Sequence, residues 1–554
     1  KNVRCVDTSA SLWYNRFMNY LKKIFVLVAV LFLTCSAFCK GTPVDALNEY
    51  KLENGLTLFT LEDHNAPLVY IEIAFRTGAV DSTPETAGLF YLYEHLMFRG
   101  NALYTTSNAM QEALYDMGVA DWNGTTTADY TNFSFTVPST ELERGLAFWN
   151  AAVRSPNVQD LELTALREKL ARRIESFQKD QGAQYSAYSA LKLFPDAPYR
   201  TDASGAANVI RHATIAQIGD LQSKFYIPKN AALFVGGDID GDNVYELVKK
   251  IFGSWSNKSS LPNSSEQIEY TIPSNSKQNP APFASPAFAV IPYQGANESF
   301  AQISAKFRGP DTDFDLEDTY VADYLCSLML DPEGVFKKKL TSASSLGIPG
   351  SEYVESSYVT KREDGVIEVK AFVKNPGTRV CSRSKEFVFE VKDVFKEIVE
   401  NPEFFEEDFV KEKALSLLDM DAVAGETVQG KLSTLRFWWA CASSDYYYSY
   451  GKKLSSVTQK EAKAFFAKYI EGKNPLVTVV LAPSYYEAQK DEFEKEGFEL
   501  ITEKNAFWQN ESRYAAKTVN EGELLQPESC DIYYPRNDQK SEDALVAESK
   551  KVKK

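Results

Sequence analysis

Two stretches of this chain repeat one pattern, and that repetition limits the fold more than any other feature. Residues 69–98, VYIEIAFRTGAVDSTPETAGLFYLYEHLMF, read as an alternating strand, a polar turn and an apolar helix. Residues 301–330, AQISAKFRGPDTDFDLEDTYVADYLCSLML, repeat that order and share the dipeptide at Phe75-Arg76 and Phe307-Arg308. Two copies of one unit predict two related domains. At 554 residues, 44% hydrophobic and 13% aromatic, the chain has material for large cores and exceeds one typical domain. The first copy mixes strand pairs with consecutive helices, so the expected class is α+β: two homologous domains, each a mostly antiparallel sheet with helices on one face. Residues 262–286, rich in Pro, Ser and Asn, mark a linker. The expected boundaries are 45–260, a linker at 261–286, 287–503, and a C-terminal extension at 504–554 whose charged end, QKSEDALVAESKKVKK, reads as disordered.

The beginning of the sequence carries an export pattern. From Met18, MNYLKKIFVLVAVLFLTCSAFCKG places Lys22 and Lys23 before a short apolar run and then small residues, the layout of a secretory signal. That run is too short to span a bilayer comfortably. The reading is an upstream extension over 1–17, translation from Met18, and a signal at 18–39 removed after Ala37 or Cys39, leaving a periplasmic or secreted protein. Acylation at Cys35 or Cys39 is the less favoured alternative, because FLTC and AFC fit a lipidation site poorly. No later segment is apolar enough to cross a membrane. The net charge of −16 argues against nucleic acid, which is held by clustered Lys and Arg, and an acidic surface can attract cationic peptides. Cys326, Cys381, Cys441 and Cys530 show no metal-type spacing, so disulfides and buried thiols both stay open.

One helix invites a chemical reading. In AGLFYLYEHLMFRGN, residues 87–101, Glu94 and His95 follow Tyr91 by one helical turn, so 91 and 95 share a face and 94 lies beside them. A catalytic zinc needs a third protein ligand and an open position for water. The charged helical stretch LREKLARRIESFQKD, residues 166–180, offers Glu168 and Glu175 two turns apart. Taken alone, those carboxylates read as a solvated face. The second copy has YLCSLML at the matching place, with nothing to bind metal, so any chemistry belongs to the first copy.

Read together, these segments resemble the insulinase/pitrilysin family of zinc peptidases, whose H-x-x-E-H motif reverses the usual order. NGLTLFTLEDHNAPLVYIEIAFRTGAVDSTPETAGLFYLYEHLMFRG resembles the family's opening strands and metal helix. MGVADWNGTTTADYTNFSFTVP is similar to its substrate-bordering strand, and the E-x6-E of Glu168 and Glu175 to its distal ligand helix. APYRTDASG, FYIPKNAALFVGGDID and FGSW match the close of the N-terminal domain. The resemblance implies Glu94 as general base, His95 and Glu175 as zinc ligands and Glu168 as the carboxylate behind them. It also implies Asn123, Gly124, Thr125 and Thr126 as substrate contacts. Tyr91 stands where the family has its first histidine, and a phenol of pKa about 10 is mostly protonated near neutrality.

Only three histidines exist, and the other two, His64 and His212, read as a surface turn residue and a cap. His95 could instead bond to Tyr91, Glu94 or Glu175, with the Tyr91 hydroxyl donating to Glu175. Active relatives use an Arg-Tyr pair in the second half. Residues 331–358 here offer Lys337, Lys338, Lys339, Tyr353 and Tyr358 but no Arg. The expectation is a catalytically degenerate family member that binds peptides or unfolded segments, or serves as the partner subunit of a homo- or heterodimeric chamber. Zinc belongs only to an active form. The alternatives are a working zinc endopeptidase and an architectural envelope subunit.

Overall fold

The computed structural model describes residues 47–157, 160–256, 283–377 and 379–515. The expected upstream extension, the signal with Cys35 and Cys39, nearly all of the linker, Cys530 and the charged tail lie outside them. In the first half, β1 (Leu47–Lys51), β2 (Thr57–Glu62), β3 (Leu68–Phe75), β4 (Trp122–Thr126), β5 (Thr131–Pro138) and β6 (Ala231–Gly237) form a sheet of order β1-β2-β6-β3-β5-β4. In the second half, β7 (Ala287–Pro292), β8 (Phe300–Arg308), β9 (Val354–Tyr358), β10 (Val366–Lys374), β11 (Leu476–Leu481) and β12 (Phe498–Leu500) give β12-β7-β11-β8-β10-β9. The run β2-β6-β3-β5-β4 corresponds to β7-β11-β8-β10-β9, so the repeat in the sequence is a repeat of topology. Pairing is antiparallel except where β6 joins β2 and where β7 joins β11 and β12.

The expected fold, two mostly antiparallel sheets covered by helices, is what the structure has, with both faces of the first sheet covered rather than one. Leu58, Ile71, Ile73, Phe133 and Val235 point into a core shared with Leu92, Tyr93 and Trp149 from helices of the same half. The alternate residues Phe59, Tyr70, Ala74 and Phe234 meet Leu432, Leu435 and Trp439 of the Val428–Cys441 helix, which comes from the second half. The arrangement is reciprocal. Ala183 and Tyr188 of the Gln181–Leu193 helix pack on Ala289, Ile291 and Leu476 of the second sheet. Strands apolar on both faces need two partners, and strand periodicity does not say which segment supplies the second.

The shared Phe-Arg dipeptide finds its reason here. At the end of β3, Arg76 Nη2 donates to the carbonyl of Ala442, the C-cap of the Val428–Cys441 helix, at 2.6 Å. At the end of β8, Arg308 Nε donates to the carbonyl of Leu193, the last residue of the Gln181–Leu193 helix, at 2.5 Å. Each arginine thus places a cation on carbonyls left unpaired by a helix end, where positive charge is favoured. Buried ions join the halves as well. Arg200 grips Glu363 through both oxygens at 2.6 and 2.7 Å, and Arg436 Nε donates to the fully buried Glu72 at 2.9 Å. Cys326, Cys381 and Cys441 are buried free thiols, which decides between the two readings left open for those three.

Candidate functional site

The Leu89–Leu96 helix turns Leu89, Phe90, Leu92, Tyr93 and Leu96 into the core, leaving Tyr91 and His95 half-buried on its other side. Its start is fixed by close backbone contact. At Gly205, φ is +67°, and a Cβ there would lie 2.2 Å from the Ala87 carbonyl carbon, so only glycine fits. The Tyr91 and His95 rings meet edge to face, with centroids 4.6 Å apart. His95 Nδ1 lies 3.0 Å from the Tyr91 carbonyl oxygen, which can only accept, so Nδ1 carries the proton and Nε2 is the free nitrogen of the neutral ring. Glu94 Oε1 is 3.6 Å from Nδ1. Burial, together with Arg173, Arg99 and Lys169, holds the His95 pKa below its ordinary value, so this contact is not an ion pair near neutrality.

Glu94 is 9% exposed, and burial raises its pKa. Thr126 and Arg173 oppose that shift, although the Thr126 hydroxyl makes no hydrogen bond of normal geometry. Thr126 ends β4, the edge strand of the sheet, which pairs with β5 on one side. Gly124 in β4 faces the helix: a Cβ there would lie 3.0 Å from the Phe98 ring and 3.2 Å from Glu94 Cγ. Asn123 Nδ2 donates to Thr125 Oγ1 at 3.2 Å. Glu94 therefore sits beneath an open strand edge, where an extended chain can add as a further strand. Beyond Thr126 opens a cavity of about 950 Å³ between the halves, lined by Tyr130, Phe177 and Phe194 from one and Lys306, Glu368 and Phe437 from the other.

The carboxylates expected to complete a metal site are engaged differently. Glu168 and Glu175 share one face of the Asp160–Phe177 helix, as their spacing predicts. Arg211, the last residue of the Ala207–Arg211 helix, bridges them: Nε donates to Glu168 Oε2 and Nη2 to Glu175 Oε1, each at 2.9 Å. Arg172 Nε takes the other Glu168 oxygen at 2.7 Å. The expected hydrogen bond from the Tyr91 hydroxyl to Glu175 is corrected: Glu175 Oε1 accepts from Arg211 instead. Burial also raises the Tyr91 pKa, which disfavours the phenolate a metal would need. Among the described residues, no three His, Cys, Asp or Glu side chains are grouped to hold a metal ion. One neutral imidazole, one protonated phenol and carboxylates already paired with guanidinium do not fit zinc.

The other candidate residues have local contacts of their own. His64 is an exposed turn residue with Nδ1 2.8 Å from Asp238 Oδ1. His212 caps the end of the short Ala207–Arg211 helix, while the next helix is capped by Thr214. In the second half, Tyr353 stacks on Phe300 and the Tyr358 hydroxyl donates to the Pro310 carbonyl at 3.0 Å. Just past that segment, Arg362 reaches across to Asp81 at 3.2 Å. Arg211, Arg173 and Arg362 were not singled out from the sequence. The only signal was basic residues beside the quoted motifs, and spacing alone does not say what a cation faces.

Comparison with known proteins agrees with this architecture. Residues 57–193 match the family described as insulinase (peptidase family M16), and residues 212–415 match the peptidase M16 inactive domain. Zinc protease PqqE of Helicobacter pylori is 24% identical over 245 residues, covering 43% of this chain and 54% of the relative. Probable zinc protease PqqL of Escherichia coli is 26% identical over 244 residues, covering 42% of this chain and 26% of the relative. The matched region thus spans about half of one relative and a quarter of the other. Among solved structures, the first half of E. coli periplasmic protease PqqL superposes with TM-score 0.60 at 15% identity, covering 82% of this chain and 97% of that one. Pitrilysin gives 0.61 at 13% identity, covering 80% and 46%. With its repeated six-stranded sheets, its Glu94-His95 helix and both halves matched, the chain belongs to the insulinase/pitrilysin family of peptidases.

Proposed function

We propose that this chain is an exported, catalytically degenerate member of the family that binds peptides or unfolded segments in the cavity between its halves, as one subunit of a dimeric chamber. The observation that carries the reading is the pairing of Glu168 and Glu175 with Arg211, which engages with a guanidinium both carboxylates expected at a metal site, while the β4 edge and the adjoining cavity stay open. Loss of the metal donors removes the means of hydrolysis but leaves the strand-addition surface. Export is supported by the layout of residues 18–39 and by likeness to relatives described as periplasmic. No described helix is long and apolar enough to cross a membrane.

The test combines three measurements on purified mature chain: zinc content, turnover of a peptide library, and fluorescence anisotropy with labelled unfolded peptides. Saturable binding without turnover or stoichiometric zinc is expected. A second reading, a working zinc endopeptidase with Glu94 as general base, has one observation in its favour. Glu94 is a buried carboxyl of raised pKa beside the open strand edge, as suits a group that exchanges protons. One zinc per chain, with turnover abolished by Glu94→Gln, would establish that reading instead.

A further inference from the structure

The positive charge around the degenerate motif is organised rather than scattered. Glu168 and Glu175 lie seven residues apart, about 10 Å along a helix, and a single guanidinium reaches both because the Ala207–Arg211 helix ends against them. Arg172 shares Glu168, and Arg173 lies close enough to act on Tyr91, Glu94 and His95. Glu168 and Glu175 are therefore already paired with Arg172 and Arg211 without any ion. Arg173 lies on the same Asp160–Phe177 helix as Glu168 and Glu175, and cations gathered there oppose a divalent ion beside them.

We infer that Arg211, with Arg173, supplies from within the chain the positive charge that a metal ion would otherwise provide, so that restoring histidine at position 91 does not by itself make a metal centre. The inference builds on the degenerate reading given under Proposed function. Arg211 is a positioning residue: it engages Glu175 Oε1 and ties the Ala207–Arg211 helix to the two carboxylates of the Asp160–Phe177 helix. The planar guanidinium suits this task because it can serve two carboxylates from one rigid fork, which a lysine cannot.

The experiment titrates zinc alone into the full mature chain by calorimetry, comparing native protein with Tyr91→His, Tyr91→His/Arg211→Gln and Tyr91→His/Arg173→Gln. Circular dichroism confirms that each variant is folded, and the two arginine variants guard against one failing to fold. Removing either arginine should tighten zinc binding relative to Tyr91→His by about tenfold or more, the scale on which groups behind metal ligands act. Adding Glu175→Ala to Tyr91→His/Arg211→Gln should cancel that gain. Equal zinc affinity in Tyr91→His and both double variants, or no binding by any of them, would overturn the inference. Zinc on the native chain would instead overturn the degenerate reading, so the two failures are distinguishable.

Discussion

Arg436→Met tests how the halves are joined. Glu72 is fully buried and accepts from Arg436 Nε at 2.9 Å, the Tyr70 hydroxyl at 2.9 Å and Asn132 Nδ2 at 2.6 Å. Methionine keeps the aliphatic stem but leaves a buried carboxylate with neutral donors only, a change that costs about 3–5 kcal/mol. Protonation limits the loss. Neutralising a carboxyl of ordinary pKa near 4.3 costs about 4 kcal/mol at pH 7.5 but only about 1 kcal/mol at pH 5. Burial already raises the Glu72 pKa and Arg436 lowers it, so the substitution raises it further. A folded pKa above the unfolded one means stability that is present at low pH and falls as pH rises. Arg436→Met should therefore be far less stable than native chain at pH 7.5 and only slightly less at pH 5, by guanidinium denaturation of the full chain. Glu72→Gln/Arg436→Met should recover most of the loss at pH 7.5. An equal loss at both pH values, or a double variant no better than the single, would refute the reasoning.

Three further outcomes follow. The Asp311 carboxyl is pushed up to about 8 by burial and by Asp315, Asp364 and Glu363, so its contribution to stability is full below about pH 4 and lost as pH rises towards 8. Asp311→Asn should flatten that part of a Tm-versus-pH curve between pH 5 and 9. Gly205→Ala should cost about 2 kcal/mol or more, because the methyl group meets the Ala87 carbonyl and the left-handed backbone is strained as well, and thermal denaturation reads the loss. Gly124→Val places a branched side chain against Phe98 and Glu94 on the open strand, and should weaken peptide binding by about tenfold, or 1.4 kcal/mol, in the anisotropy assay.

Much of the fold is legible in the sequence because each half repeats the same local code. Alternation over residues 69–75 and 301–308 becomes the corresponding strands β3 and β8 of the two sheets, and the apolar runs after them become the Leu89–Leu96 and Leu316–Leu330 helices. Tyr91, Glu94 and His95 adjoin because helical spacing is local. Glu168 and Glu175 share a face for the same reason.

What the sequence by itself determined is the set of elements, their duplication and the missing imidazole, all of which depend on residues within a turn or a strand of each other. Only the tertiary structure decided that Arg211 sits between Glu168 and Glu175, that Arg436 meets Glu72, and that each half lends a helix to the other's sheet. The repeated Phe-Arg shows the difference plainly. Its recurrence is visible in the sequence, but each arginine acts on a helix end more than a hundred residues away. Such pairings depend on which surfaces the packed sheets leave to be covered, and no short-range periodicity encodes that choice.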